Sequence, residues 1–189
     1  MDRKLFLPIL LGTVRQGRES ERVAKLLLAR ASARPEIETR LFDPRDLHFN
    51  PEDEGQELKH QNPEWRDAIV RADGLIIVAP EYNHGYPGLL KHLLDSCLKE
   101  YIHKAVGIVG VSAGPFGGSR VIQNLLPVMR ELGLVTIFWD VNVSNVHKVF
   151  DEQGKLLDDA FIRRIDKFLK ELIWMAKTLR YGRDNIQLS

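Results

Sequence analysis

Three short segments of the chain combine glycine with hydroxyl, charged or aromatic side chains, and the first of them suits an anion. It runs from Gly12 to Ser20 with the sequence GTVRQGRES. Gly12 permits a tight turn, Thr13 and Ser20 supply hydroxyl groups, and two arginines supply positive charge. The segment precedes a predicted helix, whose free N–H groups favour an anion. It therefore predicts a phosphate cradle, although it matches neither a Walker A loop nor a Gly-x-Gly-x-x-Gly motif. The alternative is that Ser20 only caps the helix and that the arginines, Arg15 and Arg18, are solvated.

The second segment, PEYNHGYPG, follows a strongly apolar run and spans Pro80 to Gly88. Its prolines and glycines predict a rigid loop, its tyrosines could pack beside a flat ring, and Asn83 can both donate and accept hydrogen bonds. The alternative is an ordinary turn with surface tyrosines. His84 and His92 lack the carboxylate–histidine spacing of a metal centre, so we expect no metal here.

The third segment, SAGPFGG, spans Ser112 to Gly118. Its three glycines would let the backbone approach a ligand closely and leave N–H groups free for the polar edge of a heterocycle. The alternative is a flexible turn that leads into a helix.

Short apolar runs alternate with segments of helical periodicity along the whole chain. Strands are predicted at 5–11, 37–42, 74–79, 105–111 and 135–141, and helices at 21–33, 65–72, 89–97, 118–132 and from 157 onward. Continuous apolar strands between helices predict a parallel sheet covered on both faces. Five such units in one domain, residues 1–189, fit a flavodoxin-like doubly wound α/β sheet of strand order 2-1-3-4-5. Ligands of such sheets lie beyond the carboxyl ends of the strands, where the three segments should meet.

Two prolines conflict with these predicted elements. Pro8 lies in the first strand, which should be central, and removes one hydrogen bond of the ladder. Pro127 lies inside a predicted helix, which we expect to be kinked or to end early.

The composition excludes several classes of protein. Lys and Arg number 27 and Asp and Glu 26, so the net charge of +1 argues against nucleic-acid and polybasic membrane partners. The single cysteine, Cys97, excludes an intrachain disulfide and favours a cytoplasmic protein. The apolar run at 5–11 is interpreted as a buried strand rather than a signal peptide. The polar stretch from Asn50 to Glu64 is either a solvated surface excursion or a functional segment, that is, a mobile rim or a flap that contacts a partner.

Several motifs recur together in this order: Gly12-Thr13-x-Arg15 with Ser20, Pro80-Glu81-Tyr82-Asn83, Pro87-Gly88-x-Leu90-Lys91 with Asp95, and Ser112 with Gly117-Gly118. In this combination the chain resembles the NADPH-dependent FMN reductase family, which includes quinone, azo-dye and chromate reductases of flavodoxin-like fold. The resemblance spans Leu7 to Val141. Thr13 stands where the family usually has serine, and either residue supplies a hydroxyl group.

The resemblance implies a role for ten residues. The phosphate of FMN would be bound by Thr13, Arg15 and Ser20. The ribityl chain and the isoalloxazine ring would lie along Pro80, Glu81, Tyr82 and Asn83. The pyrimidine end of the ring would meet Ser112, Gly114 and Gly117.

The resemblance also implies an activity: hydride transfer from NADPH or NADH to bound FMN, and from there to a quinone-like or other small acceptor. The cofactor would carry the chemistry, so we assign no catalytic acid or base. Family members are usually homodimers or homotetramers. A flavodoxin-type electron carrier is an alternative, although such carriers are typically strongly acidic. Another is a non-enzymatic nucleotide-sensing or interaction module, whose three loops bind some phosphate ligand or nothing. The preference between NADPH and NADH, the physiological acceptor and the choice between dimer and tetramer stay open.

Overall fold

The computed structural model of the chain describes residues 3–48 and 58–187, and it shows a sheet flanked by helices. The strands are β1 (Leu5–Phe6), β2 (Ile9–Leu11), β3 (Ile37–Glu38), β4 (Leu41–Phe42), β5 (Gly74–Pro80), β6 (Ala105–Val111), β7 (Val135–Thr136) and β8 (Val141–Val143). The α-helices are α1 (Ser20–Ser32), α2 (Leu58–Gln61), α3 (Pro63–Arg71), α4 (Gly88–Asp95), α5 (Ser119–Glu131) and α6 (Asp159–Asn185). None of the described helices is long and apolar enough to cross a membrane.

The main sheet has the order β4-β2-β5-β6-β7, β8 also pairs with β6, and β1 pairs with β3. Every one of these pairings is parallel. The first predicted strand comprises β1 and β2, and the second comprises β3 and β4. With this correspondence, the observed order is the predicted 2-1-3-4-5. The predicted α/β fold class is confirmed.

Two apolar layers cover the faces of the sheet. One contains buried residues of α1 and α6, and the other contains buried residues of α3, α4 and α5. The close approach of α6 depends on Gly107 of β6, where a Cβ atom would lie 2.4 Å from Cζ of Phe168. All seven residues of β6 are buried, as expected for a strand covered on both faces.

The first predicted strand is interrupted at Leu7 and Pro8, but it remains central. Leu7 N donates to Glu38 O at 2.9 Å, and Ile9 N donates to Arg40 O at 2.8 Å. Pro8 still accepts a hydrogen bond of 3.0 Å from Ile76 N. Pro8 removes only its own N–H from the ladder, so a central position tolerates it.

Helix α5 does not end early at Pro127, because it continues to Glu131. Pro127 has no N–H group, so the carbonyl of Gln123 lacks its intrahelical donor. Both Gln123 and Pro127 are exposed. Water can therefore satisfy that carbonyl, which explains why the helix continues.

The fifth predicted strand is split into β7 and β8 by residues 137–140. Thr136 pairs with Val106 and Val141 pairs with Val109, so this strand advances five residues while β6 advances three. The two extra residues force the chain outward, and Phe138 is 78% exposed as a result.

The stretch from Asn50 to Glu64 is described only in part. Residues 49–57 lie outside the described residues, so neither interpretation of this stretch is tested there. Residues 58–61 form α2, and α3 begins at Pro63, two residues before its predicted start.

Candidate functional site

The three predicted segments meet at the carboxyl edge of the sheet around two adjoining cavities. The first has a volume of about 230 Å³, and Arg15, Ser20, Pro80, Glu81, Tyr82 and Ser112 are among its lining residues. The second, of about 300 Å³, shares Glu81 and Ser112 with the first and extends to Asn83 and Gly114. Together they form a trough from the start of α1 to the start of α5.

Ser20 lies at the end of the trough next to α1. It is the first residue of that helix and is 3% exposed, and its Oγ has no hydrogen-bond partner among the described residues. The preceding residue, Glu19, is the N-cap and makes no side-chain cap bond, so the alternative of Ser20 as a simple cap does not hold. A buried hydroxyl without a partner is costly, and this one lies at the positive end of the α1 dipole. The N–H groups of Glu21 and Arg22 already donate to Arg18 O at 3.3 Å and to Glu19 O at 3.1 Å. The arrangement fits a phosphate group.

Arg18 does not supply free charge to the first cavity, contrary to the prediction for this loop. Its guanidinium pairs with Asp43, with Glu21 at 3.3 Å, and with the carbonyl of Thr13. Burial alone would lower the pKa of Arg18, but the hydrogen bonds and charges of Asp43 and Glu21 raise it overall. Arg18 therefore holds the loop against the end of β4 rather than facing a ligand.

Arg15 keeps its side chain exposed, and it forms no ion pair with any described residue. Its backbone is fixed, because Arg45 Nη2 donates to Arg15 O at 2.7 Å and Arg45 Nε donates to Val14 O at 3.2 Å. The loop thus presents one unpaired guanidinium at the mouth of the first cavity.

Thr13 lies behind the trough and connects the first two segments. Its Oγ1 lies 2.8 Å from Tyr82 Oη and accepts a hydrogen bond of 3.2 Å from Arg15 N. The residue is 3% exposed and does not line either cavity. The structure therefore gives its hydroxyl two protein partners, and direct contact with a phosphate stays a prediction.

The second segment contains a tight turn with two residues in the left-handed region. Tyr82 and Gly85 exchange two backbone hydrogen bonds of 2.9 Å, and between them Asn83 has φ 49° and His84 has φ 67°. Asn124 Nδ2 donates to His84 O at 2.6 Å and fixes the turn against α5. Such backbone conformations are unfavourable for residues other than glycine and are concentrated at functional sites. Here the turn presents the exposed Asn83 to the second cavity.

Glu81 is held by the start of α5. Its carboxylate accepts from Arg120 N at 3.2 Å and lies 3.5 Å from Arg120 Nη1. The Arg120 guanidinium lies 4.3 Å from the ring centroid of Phe116. Glu81 lines both cavities, but its charge is engaged by the protein, so the residue fixes the second segment relative to the third.

The glycines of the third segment serve different purposes. Gly117 has φ 61°, and a Cβ atom there would lie 2.8 Å from Cβ of Asn142. It therefore packs the loop against β8 and does not line either cavity. Gly114 has open space where a side chain would stand and lines the second cavity, which suits close approach by a ligand. Ser112 Oγ donates to Gly114 O at 2.9 Å and stabilises the loop.

A fourth segment that the sequence analysis missed also reaches the trough. Val146 and His147 follow β8 and line the first cavity. The rule that ligands lie beyond the carboxyl ends of strands would have found them. Because the extra residues at 137–140 move the end of this strand to Val143, the segment after it did not stand out.

A larger cavity of about 660 Å³ lies at the opposite edge of the sheet, where Arg3, Lys177 and Arg180 are among its lining residues. None of the four segments contributes to it. Among the described residues, no group of three or more His, Cys, Asp or Glu side chains is arranged to hold a metal ion.

Comparisons with known proteins agree with this geometry. A family model described as NADPH-dependent FMN reductase matches residues 7–148. An NAD(P)H-dependent FMN reductase of Pseudomonas aeruginosa is 32% identical over 121 residues, which are 61% of this chain and 65% of that protein. A quinone reductase of Escherichia coli K12 is 31% identical over 173 residues, 84% of this chain and 88% of that protein. The flavoenzyme FerB, an NAD(P)H:(acceptor) oxidoreductase from Paracoccus denitrificans, has the same fold, with a TM-score of 0.78 at 19% identity over 92% of this chain and 98% of that chain.

The family match extends from β2 to the segment after β8 and covers more than half of the chain, including all four segments of the trough. The prediction of an FMN-dependent NAD(P)H oxidoreductase is confirmed: the chain belongs to the NADPH-dependent FMN reductase family.

Proposed function

We propose that the trough holds FMN with its phosphate at the start of α1 and its ring in the second cavity, and that NAD(P)H reduces a quinone-like acceptor there. The observation that carries this proposal is the buried Ser20 Oγ, which lacks a partner among the described residues and lies beside the first cavity. A phosphate oxygen would satisfy this hydroxyl, and the dipole of α1 would favour an anion at this position.

The charges around the first cavity support an anion. A phosphate monoester carries a charge of about −1.5 to −2 at neutral pH. Arg15 offers an unpaired guanidinium, and Arg18 is neutralised by its carboxylate partners. Two carboxylates also line this cavity. Glu81 is held by Arg120, and Glu19 pairs with Arg22 at 3.5 Å, although its Oε2 is buried without a hydrogen-bond partner among the described residues.

The second cavity suits a flat polar heterocycle. The open space at Gly114 lets a ring edge approach the backbone, and the Asn83 amide can donate and accept. Tyr82, whose hydroxyl lies 2.8 Å from Thr13 Oγ1, lines the first cavity. Pro80, Glu81 and Ser112 would then border the ribityl chain.

When bound, FMN supplies the hydride chemistry of the reaction. The chain's own residues bind and orient it, and we assign no side chain as catalytic acid or base. The mouth of the second cavity is open, with Phe116 58% exposed, and it leaves room for a planar partner beside the ring. The quinone reductase names of several relatives support a small acceptor of that kind.

We also propose a cytoplasmic homodimer or homotetramer. Half-buried large side chains next to the trough, Tyr86, Leu89 and His92, are suited to a subunit boundary. The single buried cysteine, Cys97, agrees with a reducing compartment.

Steady-state oxidation of NADPH by the purified protein tests the proposed function. We expect oxidation to require both added or bound FMN and a quinone, and the flavin released by heat to be FMN. Recovery of FAD alone, or a protein that binds FMN but does not oxidise NADPH or NADH with any quinone, would contradict it. The second outcome would favour an electron carrier.

A further inference from the structure

The segment after β8 forms part of the wall of the first cavity without any role assigned to it. Val146 and His147 line this cavity together with Arg15 and Ser20. Val146 is buried, whereas His147 is exposed, and its imidazole makes no hydrogen bond or ion pair with the described residues. An unpaired imidazole thus lies at the same cavity as an unpaired buried hydroxyl.

Backbone bonds fix this segment tightly to the third segment. Ser112 N donates to Val143 O at 3.0 Å, Val146 N donates to Ser112 O at 3.1 Å, and Asn145 N donates to Gly114 O at 3.0 Å. Asn145 itself has φ 47°, which turns the chain toward the trough. The position of His147 is therefore set by the same framework that sets the second cavity.

The far end of the segment is tied to α1. Arg22 Nη1 donates to Asp151 O at 3.2 Å, and Arg22 also pairs with Glu19 at 3.5 Å. The segment therefore spans from the third segment to the first turn of α1, and His147 lies between these two attachments. This places the imidazole near the helix start that would hold the phosphate.

Few charged groups at the first cavity are free to bind a phosphate. Arg15 is the one arginine lining the cavity that has no carboxylate partner among the described residues, and it faces a phosphate of about −1.5 to −2 charge. The helix start contributes a partial positive charge of about +0.5. A further hydrogen-bond donor from the segment after β8 would add to the coordination of the phosphate.

We propose that His147 is a phosphate-binding residue of the FMN site and donates a hydrogen bond to the phosphate. This inference rests on the proposed binding of FMN in the trough. It adds a fourth segment of the chain to the three that the motifs identified. It also explains why the segment after β8 is fastened at both ends.

Equilibrium titration of the purified apoprotein with FMN and with riboflavin tests the proposal. His147→Ala should weaken FMN binding about tenfold, as expected for one hydrogen bond to a charged group that is partly screened by solvent. Riboflavin lacks the phosphate, so its affinity should change by less than about twofold on the same basis. His147→Gln keeps a donor and should recover most of the loss.

Lys148→Ala is the matched control, because this neighbouring residue is also exposed but does not line the first cavity. It should leave the affinity for FMN unchanged. Equal losses for FMN and riboflavin in His147→Ala, no loss for either, or the same loss in Lys148→Ala would each overturn the inference while FMN binding itself stands. A wild-type protein that binds no FMN would overturn the inference together with the proposed function.

Discussion

At the scale of single residues, Ser20 explains most about the site. Its hydroxyl is buried at the start of α1 and has no partner among the described residues, so the fold keeps an unsatisfied donor and acceptor there. Such a group adds nothing to the stability of the apoprotein and is costly unless a ligand satisfies it. We therefore assign the Ser20 hydroxyl to ligand binding rather than to stabilisation of the fold.

Replacing Ser20 with Ala should weaken FMN binding about tenfold to a hundredfold, because a hydrogen bond to a charged group is worth roughly 1.5–3 kcal/mol. Titration with FMN and riboflavin measures this, and riboflavin binding should hardly change. Ser32→Ala, at the exposed opposite end of the same helix, is the matched control. Equal losses of affinity for FMN and riboflavin would show that Ser20 does not bind the phosphate.

Sequence reasoning identified most residues of the trough but could not distinguish ligand contacts from internal contacts. Arg18 and Arg15 look alike in the sequence, yet Arg18 is neutralised by Asp43, which lies 25 residues away and carries no local signal. In the same way, Glu81 is held by Arg120, and Gly117 packs against Asn142. These distinctions depend on tertiary partners that a motif does not specify.

At the scale of elements, Lys104 connects the C-terminal end of α3 to the start of β6. Its Nζ donates to Val70 O at 2.8 Å and to Ile69 O at 2.5 Å, and the residue is only 8% exposed. Burial, together with the positive charge of the nearby Arg183, lowers the pKa of Lys104 to about 8. The folded state therefore disfavours the ammonium form.

The lowered pKa of Lys104 predicts the direction in which stability changes with pH. Between about pH 8 and 10.5 the unfolded chain holds the Lys104 proton and the folded chain does not, so stability should rise with pH in that window. Relative to Lys104→Met, the wild type should gain about 2–3 kcal/mol from pH 7.5 to 10, at 1.36 kcal/mol per pKa unit. Urea unfolding of both proteins at the two pH values measures the difference. Lys170→Met, at an exposed position, is the control variant. If the difference in unfolding free energy between wild type and Lys104→Met is the same at both pH values, the assignment is contradicted.

At the scale of the whole molecule, the alternation of apolar runs with helical segments was sufficient to predict five strand units, and the doubly wound template supplied their order. The interruptions could not be predicted. The outward turn at 137–140 arises from a register difference between two strands, and the sequence carries no mark of register. The helix through Pro127 continues because the affected carbonyl faces solvent, which is known only after packing.

The arrangement of the trough at one edge of the sheet, with half-buried large side chains on the neighbouring α4, predicts a subunit boundary there. Light scattering in solution should give a mass of two or four chains of 21.6 kDa. A single species of 21.6 kDa would contradict the predicted assembly. It would leave the proposed binding of FMN untouched, because every side chain assigned to the phosphate comes from one chain.

Calorimetric titration of the wild-type apoprotein with FMN and with riboflavin measures whether the trough is built around the phosphate of FMN. With at least two charge-assisted hydrogen bonds at the phosphate, from Ser20 and Arg15, one FMN per chain should bind at least about a hundredfold more tightly than riboflavin. Equal affinities for the two flavins, or binding of neither, would contradict the account.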